Sequence, residues 1–384
     1  GQAYPLISSD SHVVEPPDLW ASRIEQKFAD RAPRVVQIGS TNWWYADKDT
    51  KVGPAVAGSQ AGHRDRPEEI TVEGAFEDMV PLGAYEPDAR IDEMKVDGVV
   101  GEVVYPTAGL FIFGKVQDTE LLGACLRTYN NWVAEFCRPH PGQLKGIAMI
   151  SLDDIGEAVR ELERTAKLGL AGAMIPCAIG GDLGYGDPSL EPFWAAAQDL
   201  QMGLSLHVAS NRGVQLPQAA HDEAIVVDSP KFLEMKVNSD QWVRKTLMEM
   251  IFSGVLERYP NLKVLSVEHE GSWVPYFLQS IDGVYDLRPK NATYRFKNAM
   301  VPSDFFKRNV LVCFQEDNAA IQMRHLIGID KLMWSSDYPH SESTWPKSHD
   351  FLDRIMEGVP EADRTRMTYG NAAELYNFSP PATN

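Results

Sequence analysis

At 384 residues, with 44% apolar and 23% charged side chains, the chain has the composition of an ordinary globular protein and room for one large domain or two to three small ones. Its 36 Lys and Arg against 54 Asp and Glu leave a formal net charge of −18. With no basic stripe to offset that excess, nucleic acid and anionic membrane surfaces are excluded as expected partners.

In chain order, a short β-branched or apolar run, a polar loop and a segment of helical period recur. The runs are 6–12 ("LISSDSH"), 98–105 ("GVVGEVVY"), 144–150, 170–176, 202–208, 262–269, 308–314 and 330–337. Helices are expected at 118–138, 153–168, 190–201, 241–258, 273–285, 317–327 and 347–357. Alternation of this kind calls for a parallel sheet, and eight strands fit a closed (β/α)8 TIM barrel occupying residues 1–384 as one domain. An open doubly wound sheet would want a glycine-rich turn after its first strand, and "DSHVVEPP" is not one. Three insertions exceed ordinary loop lengths: 36–88, with a small hairpin expected at "NWWYADKD", then 209–240 and 286–307. The first two leave the C-terminal ends of strands one and five, where a barrel builds its active site, and are expected to act as lids.

Cys125, Cys137, Cys177 and Cys313 have no C-x-x-C spacing and read as buried thiols in a reducing compartment. No basic segment followed by an apolar run opens the chain, and no apolar stretch is long enough to span a bilayer, so a soluble, cytoplasmic protein is expected. The "NAT" at 291–293 would then carry no sugar.

Chemistry-bearing residues gather at the strand ends. Strand one ends in Asp10 and His12, two apart and therefore on one face. Strand five ends in His207, strand six in Glu268 and His269, strand eight in Asp337. Three of the nine histidines and three carboxylates converging on one barrel mouth are hard to explain as packing. Imidazole and carboxylate are ligands of zinc, iron or manganese, so Asp10 and His12 are expected to face inward and hold a metal.

With "DSHVVEP", "EPDARIDEMKVDGVVGEVVYP", "DPSLEPFWAAAQDLQMGLSLHV", "LMWSSDYPHSESTWPKS" and "GNAAELYNF", the chain resembles the metal-dependent amidohydrolase superfamily nearly end to end. The resemblance is to the branch that contains aminocarboxymuconate-semialdehyde decarboxylase and related aromatic-acid decarboxylases. It implies a metal held by Asp10 (in the place of the family's first histidine), His12, His207 and Asp337. It also implies His269 both as acid or base and as a further residue of the metal site, and Asp337 as a ligand that shuttles a proton.

Glu102 departs from the single-metal pattern. It interrupts an apolar strand, where an unpaired carboxylate is costly to bury, and is expected to face inward onto a second metal or a ligand histidine. Glu15, Glu268, Glu270, His340, Glu342 and His349 also lie near strand ends, each on its own more simply a paired or solvated residue. Arg212 is expected to anchor a substrate carboxylate, and Trp43, Trp44, Phe111, Phe113, Trp273 and Trp345 to line an apolar pocket. Three functions stay open. The first is a hydrolase or non-oxidative decarboxylase of a carboxylated, partly apolar small molecule, using zinc or manganese. The second is a non-haem diiron monooxygenase, with two irons, acting on a terpenoid or acyl-CoA-like substrate. The third is a ligand-binding barrel without catalysis. A homodimer is compatible with each.

Overall fold

The computed structural model describes residues 4–214 and 230–379. Strand β1 (Leu6–His12) is buried along its whole length. An insertion then folds as β2 (Arg34–Ile38), β3 (Thr41–Ala46) and β4 (Thr50–Pro54), an antiparallel three-stranded sheet. The hairpin expected at "NWWYADKD" is the β3–β4 half of it, turning through Asp47 and Lys48 at positive φ. Seven further strands follow: β5 (Val99–Tyr105), β6 (Leu144–Met149), β7 (Gly172–Ile175), β8 (Gly203–His207), β9 (Val264–Val267), β10 (Val310–Phe314) and β11 (Leu332–Trp334).

β1 and β5 to β11 form an eight-stranded parallel sheet in sequential order, the (β/α)8 barrel. Its strands are apolar runs because each is buried on both faces; all five residues of β10, Val310–Phe314, are buried. Side chains and loop backbone tie the last strand to the first. Ser9 Oγ donates to Trp334 O at 2.9 Å, Ser336 N to Ser8 Oγ at 2.9 Å and Asp337 N to Asp10 O at 3.0 Å. This seam brings the strand-eight loop against Asp10 and His12.

The expected helices are present, with two interrupted. Gly254 at φ +80° splits 241–258 into Asp240–Phe252 and Val255–Arg258, and Met323 separates Asn318–Gln322 from Arg324–Ile327. Several further helices lie outside that reading, among them Pro87–Asp97 and Ala108–Lys115. The first has the start and stop signals of a helix, Pro87 in its first turn and Gly98 at φ +73° as its cap. Its buried face, however, mixes Arg90 and Asp97 with Ile91 and Met94, which blurs the apolar period. In the second insertion residues 209–214 and 230–240 are described, the latter opening with the helix Pro230–Val237, and 215–229 lie outside the described residues. All four cysteines are free and buried, and no helix among the described residues is long and apolar enough to cross a membrane.

Candidate metal centre

Asp10 and His12 project from one face of β1, and their side chains meet: His12 Nε2 lies 3.3 Å from Asp10 Oδ1 and 3.3 Å from Asp337 Oδ1. His207, at the end of β8, places Nε2 3.5 Å from Asp10 Oδ1 and 3.5 Å from Glu268 Oε2. The other nitrogen of each ring is already committed. His12 Nδ1 lies 2.8 Å from Pro106 O, and His207 Nδ1 2.9 Å from Val208 O. A carbonyl only accepts, so each Nδ1 carries a hydrogen, and Nε2 is the nitrogen each ring turns toward the cluster.

Asp10 Oδ1, His12 Nε2, His207 Nε2 and Asp337 Oδ1 are all buried without a hydrogen-bond partner. An unsatisfied buried polar group costs about 1–3 kcal/mol, so four such atoms aimed at one another make little sense as packing. A divalent cation coordinated by nitrogen and carboxylate oxygen would satisfy all four together. The donor atoms form two overlapping groups, Asp10–His12–His207–Glu268 and His12–Glu268–Asp337–His340, each with its atoms within 4.8 Å of one another.

His340 is stacked on His12 with ring centroids 3.9 Å apart, and its Nδ1 lies 3.1 Å from Asp337 Oδ1. Its Nε2 lies 3.1 Å from Thr107 Oγ1. Thr107 is itself held by Glu15, whose buried carboxylate accepts the backbone N–H groups of Thr107, Ala108 and Gly109. Glu15 therefore caps the helix Ala108–Lys115 and is fully used.

The electrostatics follow from this crowding. Burial opposes charge on every member, yet His207 and His12 hold the Asp10 carboxyl at about 2. His340 and His12 hold Asp337 well below the carboxylate range against the same burial. Burial would also lower the two imidazoles, but Asp10 and its neighbouring carboxylates raise both His12 and His207. Glu268 is pushed up by burial and by the Asp337 charge.

His269 stands beside this set rather than in it. Its Nδ1 lies 3.1 Å from Ser266 Oγ and its Nε2 3.7 Å from Cys177 Sγ. Burial, then the neighbouring His207, lowers it to about 3, so the ring is neutral. The reason is backbone geometry: Glu268 adopts φ +62°, breaking the alternation of β9, so the Glu268 carboxylate joins the cluster while His269 turns toward β7. Glu270 (φ +56°) and Asp337 (φ +57°) share that left-handed conformation, a concentration of strain around the centre.

Two expectations are corrected. Glu102 does not face the donors. Tyr105 on the same strand does: its hydroxyl lies 2.8 Å from Ser205 Oγ across the barrel, and its ring centroid lies 6.2 Å from that of His12 and 5.2 Å from that of His207. Glu102 turns to the helix Pro87–Asp97, where Arg90 Nε donates to Oε2 at 2.5 Å. Arg90 Nη1 also donates to His12 O at 2.8 Å and Gly83 O at 3.1 Å, so this pair braces the end of β1 from behind. Arg212 is likewise spoken for, since its guanidinium pairs with Asp153 and donates to Phe113 O and Val116 O at 2.9 Å.

The aromatic residues expected in one pocket are not assembled into one. Trp44 packs edge-on against Trp20 in the core, Trp273 against Phe277 and Phe306, and Trp43 lies under Lys51. His349 packs against Tyr4, away from the centre. Glu268 and His340, each unremarkable in isolation, are the donors that residue-by-residue reading undervalues. The signal for Glu268 was its position one residue before His269 at a strand end.

Comparison with known proteins agrees with this architecture. A relative, the 2-amino-3-carboxymuconate-6-semialdehyde decarboxylase of Dictyostelium discoideum, is 24% identical over 318 residues, covering 81% of this chain and 82% of that protein. An amidohydrolase from Mycobacterium avium subsp. paratuberculosis K-10 superposes with a TM-score of 0.78 at 21% identity, over 98% of each chain. A dihydroxybenzoic acid decarboxylase from Polaromonas sp. JS666, solved with bound manganese and the inhibitor 2-nitroresorcinol, superposes with a TM-score of 0.67 at 20% identity, over 98% of this chain and 97% of that one. The Amidohydrolase family model matches residues 41–378, most of the chain. The chain belongs to the amidohydrolase family and is a metal-dependent enzyme.

Proposed function

We propose that the protein is a non-oxidative decarboxylase of an aromatic carboxylate, with one divalent ion held by Asp10, His12, His207 and Asp337 and with Glu268 completing the set. The observation that carries the reading is the convergence of four buried ligand atoms that lack any other partner. The relatives supply the reaction class, since they are decarboxylases of carboxylated substrates and one was solved with manganese. A divalent ion bound there would supply Lewis-acid polarisation of a substrate oxygen.

The chain's own residues do the rest. The Nδ1 contacts of His12 and His207 to Pro106 O and Val208 O fix both rings before substrate arrives. In the reaction the bond between the ring carbon and the carboxylate breaks, its electron pair stays on the ring, and a proton must arrive at that carbon. His269 is buried beside the donors and uncommitted to them, and is the group we assign to moving that proton. The insertion 36–88 would close over the mouth and exclude water; of the second expected lid, 209–240, residues 215–229 lie outside the described residues.

The test is metal content per chain together with carbon dioxide release from 2,6-dihydroxybenzoate. One manganese or zinc per chain with metal-dependent release supports the reading. A metal-replete protein that releases nothing from a panel of hydroxybenzoates would remove it.

A second reading has its own observation. The two donor groups overlap at His12 and Glu268, and together they would offer enough nitrogen and oxygen ligands for two ions. Under that reading the protein is a non-haem diiron monooxygenase. Two irons per chain and oxygen uptake would favour it over decarboxylation.

A further inference from the structure

The barrel mouth is strongly acidic. Asp10, Glu268, Glu270, Asp337 and Glu342 all act electrostatically on one another or on their shared neighbours there, in a chain of net charge −18. An anionic substrate approaching such a mouth is repelled unless a cation meets it. Two basic side chains near the mouth are already committed. Arg212 is locked to Asp153 and three backbone carbonyls, and Arg64 pairs with Glu316 and donates to Glu342 O at 2.6 Å.

Lys236 is different. It lies on the helix Pro230–Val237, in the insertion after β8, and its Nζ is 3.5 Å from Glu268 Oε1 and 3.3 Å from Glu342 Oε1. Glu268 therefore presents Oε2 to His207 and Oε1 to Lys236, which sets the ammonium one carboxylate beyond the donor cluster. The Lys236 side chain is 39% exposed and that of Glu342 49%, so the contact between them is open to solvent and weakly held. A metal drawing charge from Glu268 would loosen the other contact as well. An ammonium with three donors and two long, exchangeable ion pairs is well suited to receive an incoming carboxylate.

We propose that Lys236 is the residue that selects for a negatively charged substrate, exchanging its contact with Glu342 for the substrate's carboxylate. This rests on the aromatic-carboxylate reading above. It gives Lys236 the anchoring task that the sequence suggested for Arg212, and makes it a specificity residue rather than a metal ligand.

The experiment is calorimetric titration of the manganese-loaded full chain with 2,6-dihydroxybenzoate and with its uncharged amide, 2,6-dihydroxybenzamide. Wild type, Lys236→Met and Lys236→Arg are compared, with metal content measured in each. A charge-assisted hydrogen bond is worth enough that Lys236→Met should weaken the acid by about tenfold or more, and the amide by less than about threefold. Lys236→Arg should keep the acid within about threefold of wild type. Metal content should not fall, because removing a cation beside Glu268 favours a bound cation. Equal weakening of acid and amide, or no weakening of the acid, would overturn the inference while leaving the aromatic-carboxylate reading in place. If wild type binds neither compound, that reading falls and the inference with it.

Discussion

Asp337 and Glu102 are both carboxylates buried in the same barrel, and they sit in opposite situations. Asp337 shares its oxygen with His12 and His340 in a cluster where Asp10 Oδ1, His12 Nε2, His207 Nε2 and Asp337 Oδ1 itself have no hydrogen-bond partner. Glu102 has a guanidinium against it, and that guanidinium also holds the His12 and Gly83 carbonyls. Burial is common to the two regions, so burial alone does not mark a ligand. What separates them is whether opposite charge is already supplied by the chain.

The sharpest way to test that difference is to remove a donor from the unsatisfied region. His207→Ala should leave the barrel folded, by unchanged circular dichroism. Metal content should fall to near zero and turnover by more than about 100-fold, beyond what loss of an outer-sphere partner does. Full metal content in that variant would end the assignment of this cluster. His269→Gln should separate chemistry from binding, because His269 lies outside the donor set. We expect kcat to drop by roughly 10²–10⁴ with metal content retained, measured by elemental analysis beside steady-state rates. Metal loss in His269→Gln would instead put this ring among the ligands.

The satisfied region should answer in stability. Glu102→Gln strands a buried guanidinium, and Arg90→Met strands a buried carboxylate. Breaking such a pair costs about 3–5 kcal/mol, so each should lower Tm by roughly 5–10 °C in thermal melts while metal per folded chain stays normal. The double variant Arg90→Met/Glu102→Leu should lose less than either single change, because neither charge is then left alone. If Glu102→Gln loses metal at unchanged Tm, the two regions are one functional unit and the contrast fails.

The barrel was legible because apolar runs and intervening helical periods recur eight times, and a parallel strand buried on both faces can hardly read otherwise. The convergence of Asp10, His12, His207 and Asp337 at one mouth followed from that same register. Glu102 misled for a specific reason. Its partner lies on the helix Pro87–Asp97, whose inward face carries Arg90 among Ile91 and Met94 and so lacks a clean apolar stripe. Pro87 and Gly98 bracket that helix, and reading them as its ends would have supplied the missing cation. Glu268 and His269 exchanged places for a different cause, a positive φ at a non-glycine residue that strand alternation does not anticipate. Such a conformation is set by tertiary contacts.

The last effect concerns Asp97, which borders the satisfied region and acts only through pH. Its carboxylate accepts Ser348 N at 2.8 Å and caps the helix Ser348–Ile355. Burial, helped by the nearby Glu102 charge, pushes it up to about 7. In the unfolded chain an aspartate titrates near 4. Between those two values the unfolded chain has released this proton while the folded chain keeps it, so stability falls as pH rises from about 4 to about 7 and levels off above. Asp97→Asn keeps an oxygen for Ser348 N and cannot ionise. It should be more stable than wild type at pH 8, by up to the roughly 4 kcal/mol that the gap between about 4 and about 7 carries, and no more stable at pH 4, where both side chains are neutral. Melting curves of metal-loaded wild type and variant at pH 5, 6, 7 and 8 measure this, with the two Tm values separating up to about pH 7 and staying apart by a constant amount above it. Parallel curves would mean that Asp97 is already ionised across the range, which would require Arg90 to serve both Asp97 and Glu102 and would make the satisfied region a three-charge cluster rather than a pair.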